Sequence, residues 1–328
     1  VTFAEGFFWV NNGGLEHRRV STAGTPSRID APNGQIREFN GRMHVVTPAS
    51  IYARRDYLPA EFTGINVYSD AAAVGEDAVF LIRQKQFARN AETVWANSNV
   101  DLEPGVDELI AIDAHSADRI WLGARTVSHA SVVECRLSPS ASCAHSYLEP
   151  LSNVSPINDV AVLASDRVVA AQGAVLLRYD GDFLATWTAF ADPLLSNCNI
   201  VQVERKDAFA AVVLATCDGG SRLAQFDSES GVVTELAWLD AAYTRLSVAP
   251  DGALFVGGAA GMAWWTPDGT FASASAPTAR ALDAGSQADA WVVDREGSAW
   301  HWDGRDWGPV DIDAAAVNTL VVTPRTIN

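Results

Sequence analysis

The stretch ADAWVVDREGSAWHWDGRDWGPV, residues 288–310, carries four tryptophans, Trp291, Trp300, Trp302 and Trp307. Two turn-like segments interrupt it, Arg295-Glu296-Gly297-Ser298 and Asp303-Gly304-Arg305-Asp306. So many aromatics in so short a span suit either a ligand platform or one unit of a repeated scaffold. Short apolar runs split by Gly and Asp predict strands. Alternation along a strand puts Trp300 and Trp302 on one face, where large rings can fill the space between packed sheets. The scaffold reading therefore depends on whether the pattern recurs.

It recurs along the whole chain. A strand, a turn with Asp or Gly and a second apolar strand appear in AAAVGEDAVFLIRQ (71–84), LIAIDAHSADRIWLGA (109–124), VAVLASDRVVAAQG (160–173), IVQVERKDAFAAVVLA (200–215), LSVAPDGALFVGG (246–258) and ALDAGSQADAWVVD (281–294). IREFNGRMHVVTP (36–48) fits less cleanly. A third strand often ends in an aromatic and a turn, as in VLLRYDGDF and MAWWTPDGTF. Helical periodicity is nearly absent. The chain closes on a first strand without a second, TLVVTPRTIN (319–328), and opens on FAEGFFWVNNGGLEHRRV (3–20), read as a second and third strand without a first. NNGG in that opening stretch is a hairpin turn. The ends complete each other, which is how a β-propeller closes.

These features predict an all-β chain, a single β-propeller domain over 1–328. The residues preceding each inner strand are Gln35, Asp70, Glu108, Asp159, Asn199, Arg245, Arg280 and Thr319. Their spacing of about 35 to 51 residues matches propeller repeats. That makes eight blades, with seven as the alternative if 36–48 is the outer part of the closing blade. The stretch at 288–310 resembles a tectonin-type repeat, and DGALFVGGAAGMAWWTPDGTF and DRIWLGA resemble two-component-regulator propeller repeats. Each resemblance covers about one blade and implies the fold. Tectonin propellers include glycan-binding lectins, but the other units lack the closing tryptophan.

Composition narrows the functional classes. Hydrophobic residues make up 48% and charged residues 19% of 328, enough for a large core. A formal charge of −17 disfavours nucleic acid and anionic membranes as partners. No apolar run reaches the ~20 residues of a membrane helix, so no membrane insertion is expected. The four cysteines form two close pairs. Cys135 and Cys143 flank a loop-like segment, and Cys198 and Cys217 flank two strands and a turn. Bridges Cys135–Cys143 and Cys198–Cys217 would imply an oxidising compartment, hence a secreted, periplasmic or cell-surface protein. The chain starts at Val1, which fits removal of a signal peptide.

Catalytic and cofactor motifs are missing: no GxSxG, no HExxH, no phosphate loop and no EF-hand. No cofactor is expected. The six histidines have no metal-ligand spacing, so no metal site is predicted, and His44 and His301 read as structural. The expected ligand site is the channel mouth. There, Asp70, Glu108 and Asp159 would form an acidic arc facing Arg245 and Arg280. Such a ring suits a ligand carrying both signs; alternatively, its side chains bond neighbouring blades and hold the ring together. The sequence points to an exported recognition protein that binds a protein, glycan or small polar ligand, without catalysis. An axial-site hydrolase or lyase, and a purely structural assembly protein, are the alternatives.

Overall fold

The computed structural model describes the strands between Thr2 and Tyr147 and, with short gaps, residues 156–313; side chains are described between Asp70 and Pro309. The described strands pair into eight antiparallel sheets, each strand beside its sequence neighbour. In chain order they are sheet 1 (2–29), sheet 2 (35–53), sheet 3 (70–98), sheet 4 (106–147), sheet 5 (159–191), sheet 6 (198–239), sheet 7 (243–274) and sheet 8 (281–313). Sheet 2 has three strands and the others have four. No helix among the described residues is long and apolar enough to cross a membrane.

The first strands of sheets 3 to 8 lie successively side by side, so each sheet turns its first strand inward. Those inner strands are Asp70–Val74, Val106–Ser116, Asp159–Ala164, Cys198–Arg205, Tyr243–Val248 and Ala281–Ser286. Residues 36–48, the least clear repeat in the sequence, form strands of a sheet of their own, Gln35–Phe39 and Arg42–Thr47. Sheet 1 differs from expectation in one respect. Thr2–Ala4 supplies a first strand that pairs with Phe7–Asn12. Three residues are too few to show a period, and for that reason the sequence did not reveal it. The closing strand expected at 319–323 lies outside the described residues.

The core sits between sheets. Ala111, Trp121 and Val132 of sheet 4 pack on Val160, Val162, Val168 and Leu177 of sheet 5. Similar clusters join sheets 3 and 4, 5 and 6, 6 and 7, and 7 and 8. Burying each such aliphatic side chain contributes ~1.5–3 kcal/mol, an upper figure because the unfolded chain already hides some surface. The fit is close: a Cβ added at Gly123 would stand 2.8 Å from the Ile157 side chain.

The tryptophans of 288–310 serve this packing. Trp302 is buried and meets Trp264 of sheet 7 at 4.6 Å between ring centroids and Trp307 at 5.6 Å. Trp300 packs against the same cluster, its indole nitrogen donating to Asp294 at 2.9 Å. Trp291 packs against His301 with ring centroids 4.4 Å apart and planes tilted by 41°, and His301 bonds Asp289. The aromatics are scaffold. Both expected disulfides are present, Cys135–Cys143 and Cys198–Cys217, each between residues directly opposite on adjacent strands.

Candidate functional site

The inner strands carry polar side chains at regular intervals, and these reach from one sheet to the next. The Asp70 carboxylate accepts the backbone N–H of Ile112 at 2.9 Å. Asp113 accepts from Val162 at 2.6 Å and Asp159 from Val203 at 2.8 Å. The Gln202 side-chain carbonyl accepts from Leu246 at 2.8 Å, and the Ser247 hydroxyl from Ala284 at 3.0 Å. Five consecutive junctions therefore use one device: a side chain on one inner strand captures the main chain of the next. Adjacent inner strands do not pair as a ladder, so their N–H groups need other acceptors. Ser247 also donates to Asp283, which extends the chain into sheet 8.

Two of the acids also accept the N–H of the next residue on their own strand. Asp113 accepts from Ala114 at 2.7 Å and Asp159 from Val160 at 2.8 Å. Two backbone bonds fill about half of a carboxylate's four lone-pair positions.

Burial of these groups has an electrostatic cost. Burial pushes the Asp113 carboxyl up to about 6, against the pull of its bonds to Val162 and Ala114 and the charge of Arg205. Asp159 is held well above the usual carboxylate range by burial first and by the charge of Asp70 second. Glu204 is raised well above its usual value by burial, then by Asp159, Asp113 and Asp283. Arg245 is the cation among them. Burial lowers its pKa, while Asp70 and Asp159 act to raise it. Its Nε donates to the Arg280 carbonyl at 2.7 Å and its Nη1 to the Thr244 carbonyl at 3.0 Å. Among the described residues Nη2 has no protein partner.

Of the five expected mouth residues, Asp70, Asp159 and Arg245 influence one another electrostatically. Glu108 stands apart. It pairs at 2.5 Å with Arg125 of its own sheet, both side chains about half exposed. It lies four residues before Ile112, the partner of Asp70, which is about 13 Å along a strand. Arg280 stands one residue ahead of its inner strand and lends the site its backbone carbonyl. Asp113, Gln202, Glu204, Ser247 and Asp283 were missed. No local sequence signal marks them: Asp-Ala occurs on inner strands at Asp70-Ala71, Asp113-Ala114 and Asp283-Ala284, but also at six other places, among them Asp77-Ala78 and Asp207-Ala208. Among the described residues no three of His, Cys, Asp and Glu are grouped to hold a metal ion.

No family model matches the chain, and no curated protein matches it. Solved structures do match. A streptogramin B lyase structure superposes with a TM-score of 0.62 at 13% identity, covering 77% of this chain and 88% of that one. YCF48 bound to D1 peptide gives 0.59 at 12% identity, over 76% and 84%. The chain is a β-propeller. A further propeller match is an extracellular domain assigned to a hybrid two component system of B. thetaiotaomicron, with a TM-score of 0.53 at 11% identity, over 77% of this chain and 36% of that one. That match agrees with the resemblance of single blades to two-component-regulator repeats. At such identities the likeness concerns the fold.

Proposed function

We propose that this propeller is an exported recognition protein that binds a small polar ligand, carrying an anionic and a cationic group, at the mouth of its axial channel. The observation that carries this reading is Arg245. Its guanidinium is fixed by two backbone carbonyls, feels the Asp70 and Asp159 carboxyls electrostatically, and has Nη2 to offer an incoming anion. Asp159 retains lone pairs beyond its two backbone bonds for an ammonium or hydroxyl donor. Charge-assisted bonds of both signs are stronger and more selective than neutral ones. Export is supported by the pairing of all four cysteines into disulfides, which persist in oxidising compartments.

The test is a thermal-shift screen of free amino acids, amino sugars and short oligosaccharides, followed by calorimetric titration of the best probe. Arg245→Ala should weaken binding ~30-fold or more, in line with the ~2–5 kcal/mol typical of a truncated buried charge contact. Arg280→Ala should weaken binding less than Arg245→Ala, because the Arg280 carbonyl that fixes Arg245 is kept. Equal binding by parent and Arg245→Ala, or no stabilising probe at all, sinks the reading. Turnover of the bound probe would replace it with the channel-site hydrolase or lyase.

A further inference from the structure

All four large apolar side chains that stand strongly exposed among the described residues belong to sheet 6: Phe209 at 50%, Val232 at 54%, and Leu236 and Trp238 at 40% each. Three of them follow one another on the outermost strand, Val233–Leu239, or directly before it. Other outer strands differ. That of sheet 5 exposes Thr188, Ala189 and Ala191, and that of sheet 8 exposes Gly308 and Pro309. Edge strands are usually blunted in this way, because an apolar edge with free backbone groups invites another strand.

A register shift makes the edge of sheet 6 apolar. Leu223 pairs with Ala237, but Ala224 pairs with Glu235, so Leu236 is an extra residue in the ladder. Without the bulge Leu236 would oppose the fully buried Ala224; with it, Leu236 is turned out of the core. Trp238 is set in place beside it. Its indole nitrogen donates to Asp240 at 2.9 Å, and the Arg222 guanidinium lies 5.3 Å from the ring centroid. Arg222 is itself engaged, forming an ion pair with Glu235 at 2.7 Å. A pre-set aromatic anchor loses little conformational freedom on binding.

Charge selects the occupant. Residues 227–240 hold Asp227, Glu229, Glu235 and Asp240 and no Lys, Arg or His, on a chain of net charge −17. Glu229 and Glu235 are paired with Arg167 and Arg222, but a second copy of this edge would still bring Asp227 and Asp240 against other carboxylates. We propose that the outer edge of sheet 6 docks an extended cationic segment of another protein, laid as an added strand along 232–239 with its apolar side chains on Leu236 and Trp238. This inference is independent of the channel mouth.

The probe is a fluorescein-labelled nine-residue peptide of alternating lysine and valine, followed by anisotropy. Two control peptides replace valine with serine or lysine with glutamate. The native protein should bind the lysine–valine peptide at least tenfold more tightly than either control, and hydrogen exchange should slow at 233–239. Leu236→Lys lies outside the ladder, so it should keep the parent melting temperature and bind at least tenfold more weakly. A Leu236→Thr/Trp238→Thr double variant should lose the same affinity. Undiminished binding by Leu236→Lys, equal binding of the lysine–serine peptide, or protection elsewhere on the protein would overturn the proposal. So would a concentration-dependent dimer that Leu236→Lys abolishes, which would assign the edge to a second copy.

Discussion

Sheet 6 inverts the usual order of polarity across its own width. Its inner strand puts Gln202 and Glu204 in the middle of the molecule, and its outer strand puts Leu236 and Trp238 at the rim. At the inner end the polar groups are committed: Gln202 accepts from Leu246, donates to the Leu246 carbonyl at 2.9 Å and donates to Glu204 at 2.8 Å. At the outer end the apolar groups have no partner sheet among the described residues. Polarity alone would have named the centre as the site and the rim as filler. The bonding shows that much of the polar centre is fastening, while the rim holds unspent apolar surface. A residue's availability matters more than its type.

The comparison breaks most readily at Asp159. Asp159→Ala removes the acceptor of two N–H groups, those of Val160 and Val203. An orphaned buried donor costs ~1–3 kcal/mol, so urea unfolding should show a loss of about 4 kcal/mol. Asp159→Asn keeps one acceptor oxygen but turns its amide group on the other N–H, so it should lose about 2 kcal/mol, roughly half as much, with relief of the repulsion from Asp70 acting the other way. If both variants unfold alike, the fastening account of the centre fails.

A smaller effect separates inner from outer crosslinks. Cys198–Cys217 joins the two innermost strands of sheet 6 across 19 residues, and Cys135–Cys143 the two outermost strands of sheet 4 across 8. Loop entropy predicts losses of about 3 and about 2.5 kcal/mol when each pair is replaced by serines. Measured by the same unfolding, a much larger inner loss would mean that the centre tolerates less distortion than chain entropy alone requires.

The smallest effect is pH dependence. The raised carboxyls of Asp113, Asp159 and Glu204 hold protons in the folded state that the unfolded chain releases. Their stabilising contribution is complete below the ordinary carboxylate values near 4 and is lost as pH rises through the folded values, about 6 for Asp113. For Asp113 that is about 2 kcal/mol after allowance for solvent screening. Melting temperature should therefore fall between pH 5 and pH 8, and Asp113→Asn should flatten the slope. A melting temperature that rises over this range contradicts the burial of these acids.

Much of the architecture was legible in the sequence because it rests on local patterns. Apolar runs and Gly/Asp turns marked the strands, and the tryptophans of 288–310 read as packing. Each cysteine pair could be matched because it flanked a single hairpin. The site was harder because it depends on how far each inner strand slides past its neighbour. Aligning repeats at the first residue of the strand placed Glu108 and Asn199 level with Asp159. In the fold, bulges at Val106/Glu108 and Leu109/Ala111 lengthen the inner strand of sheet 4, so Asp113 takes the bridging position. In sheet 6 that position falls to Gln202. Repeat spacing carries no information about such slippage, and neither does the Asp-Ala pair, which recurs off the inner strands as well.

The five bridging bonds all point the same way along the chain. The acceptor, Asp70, Asp113, Asp159, Gln202 or Ser247, always precedes its donor, which follows 37 to 49 residues later. At synthesis rates of roughly 5–20 residues per second, each side chain waits a few seconds for its strand to emerge. A growing chain thus ends at every stage in a solvated carboxylate, amide or hydroxyl, which water satisfies readily, rather than in a naked amide edge. From sheet 3 to sheet 8 the bridging acceptors therefore run one way, from the amino terminus forward, so that each is already in the chain when the strand it captures is made.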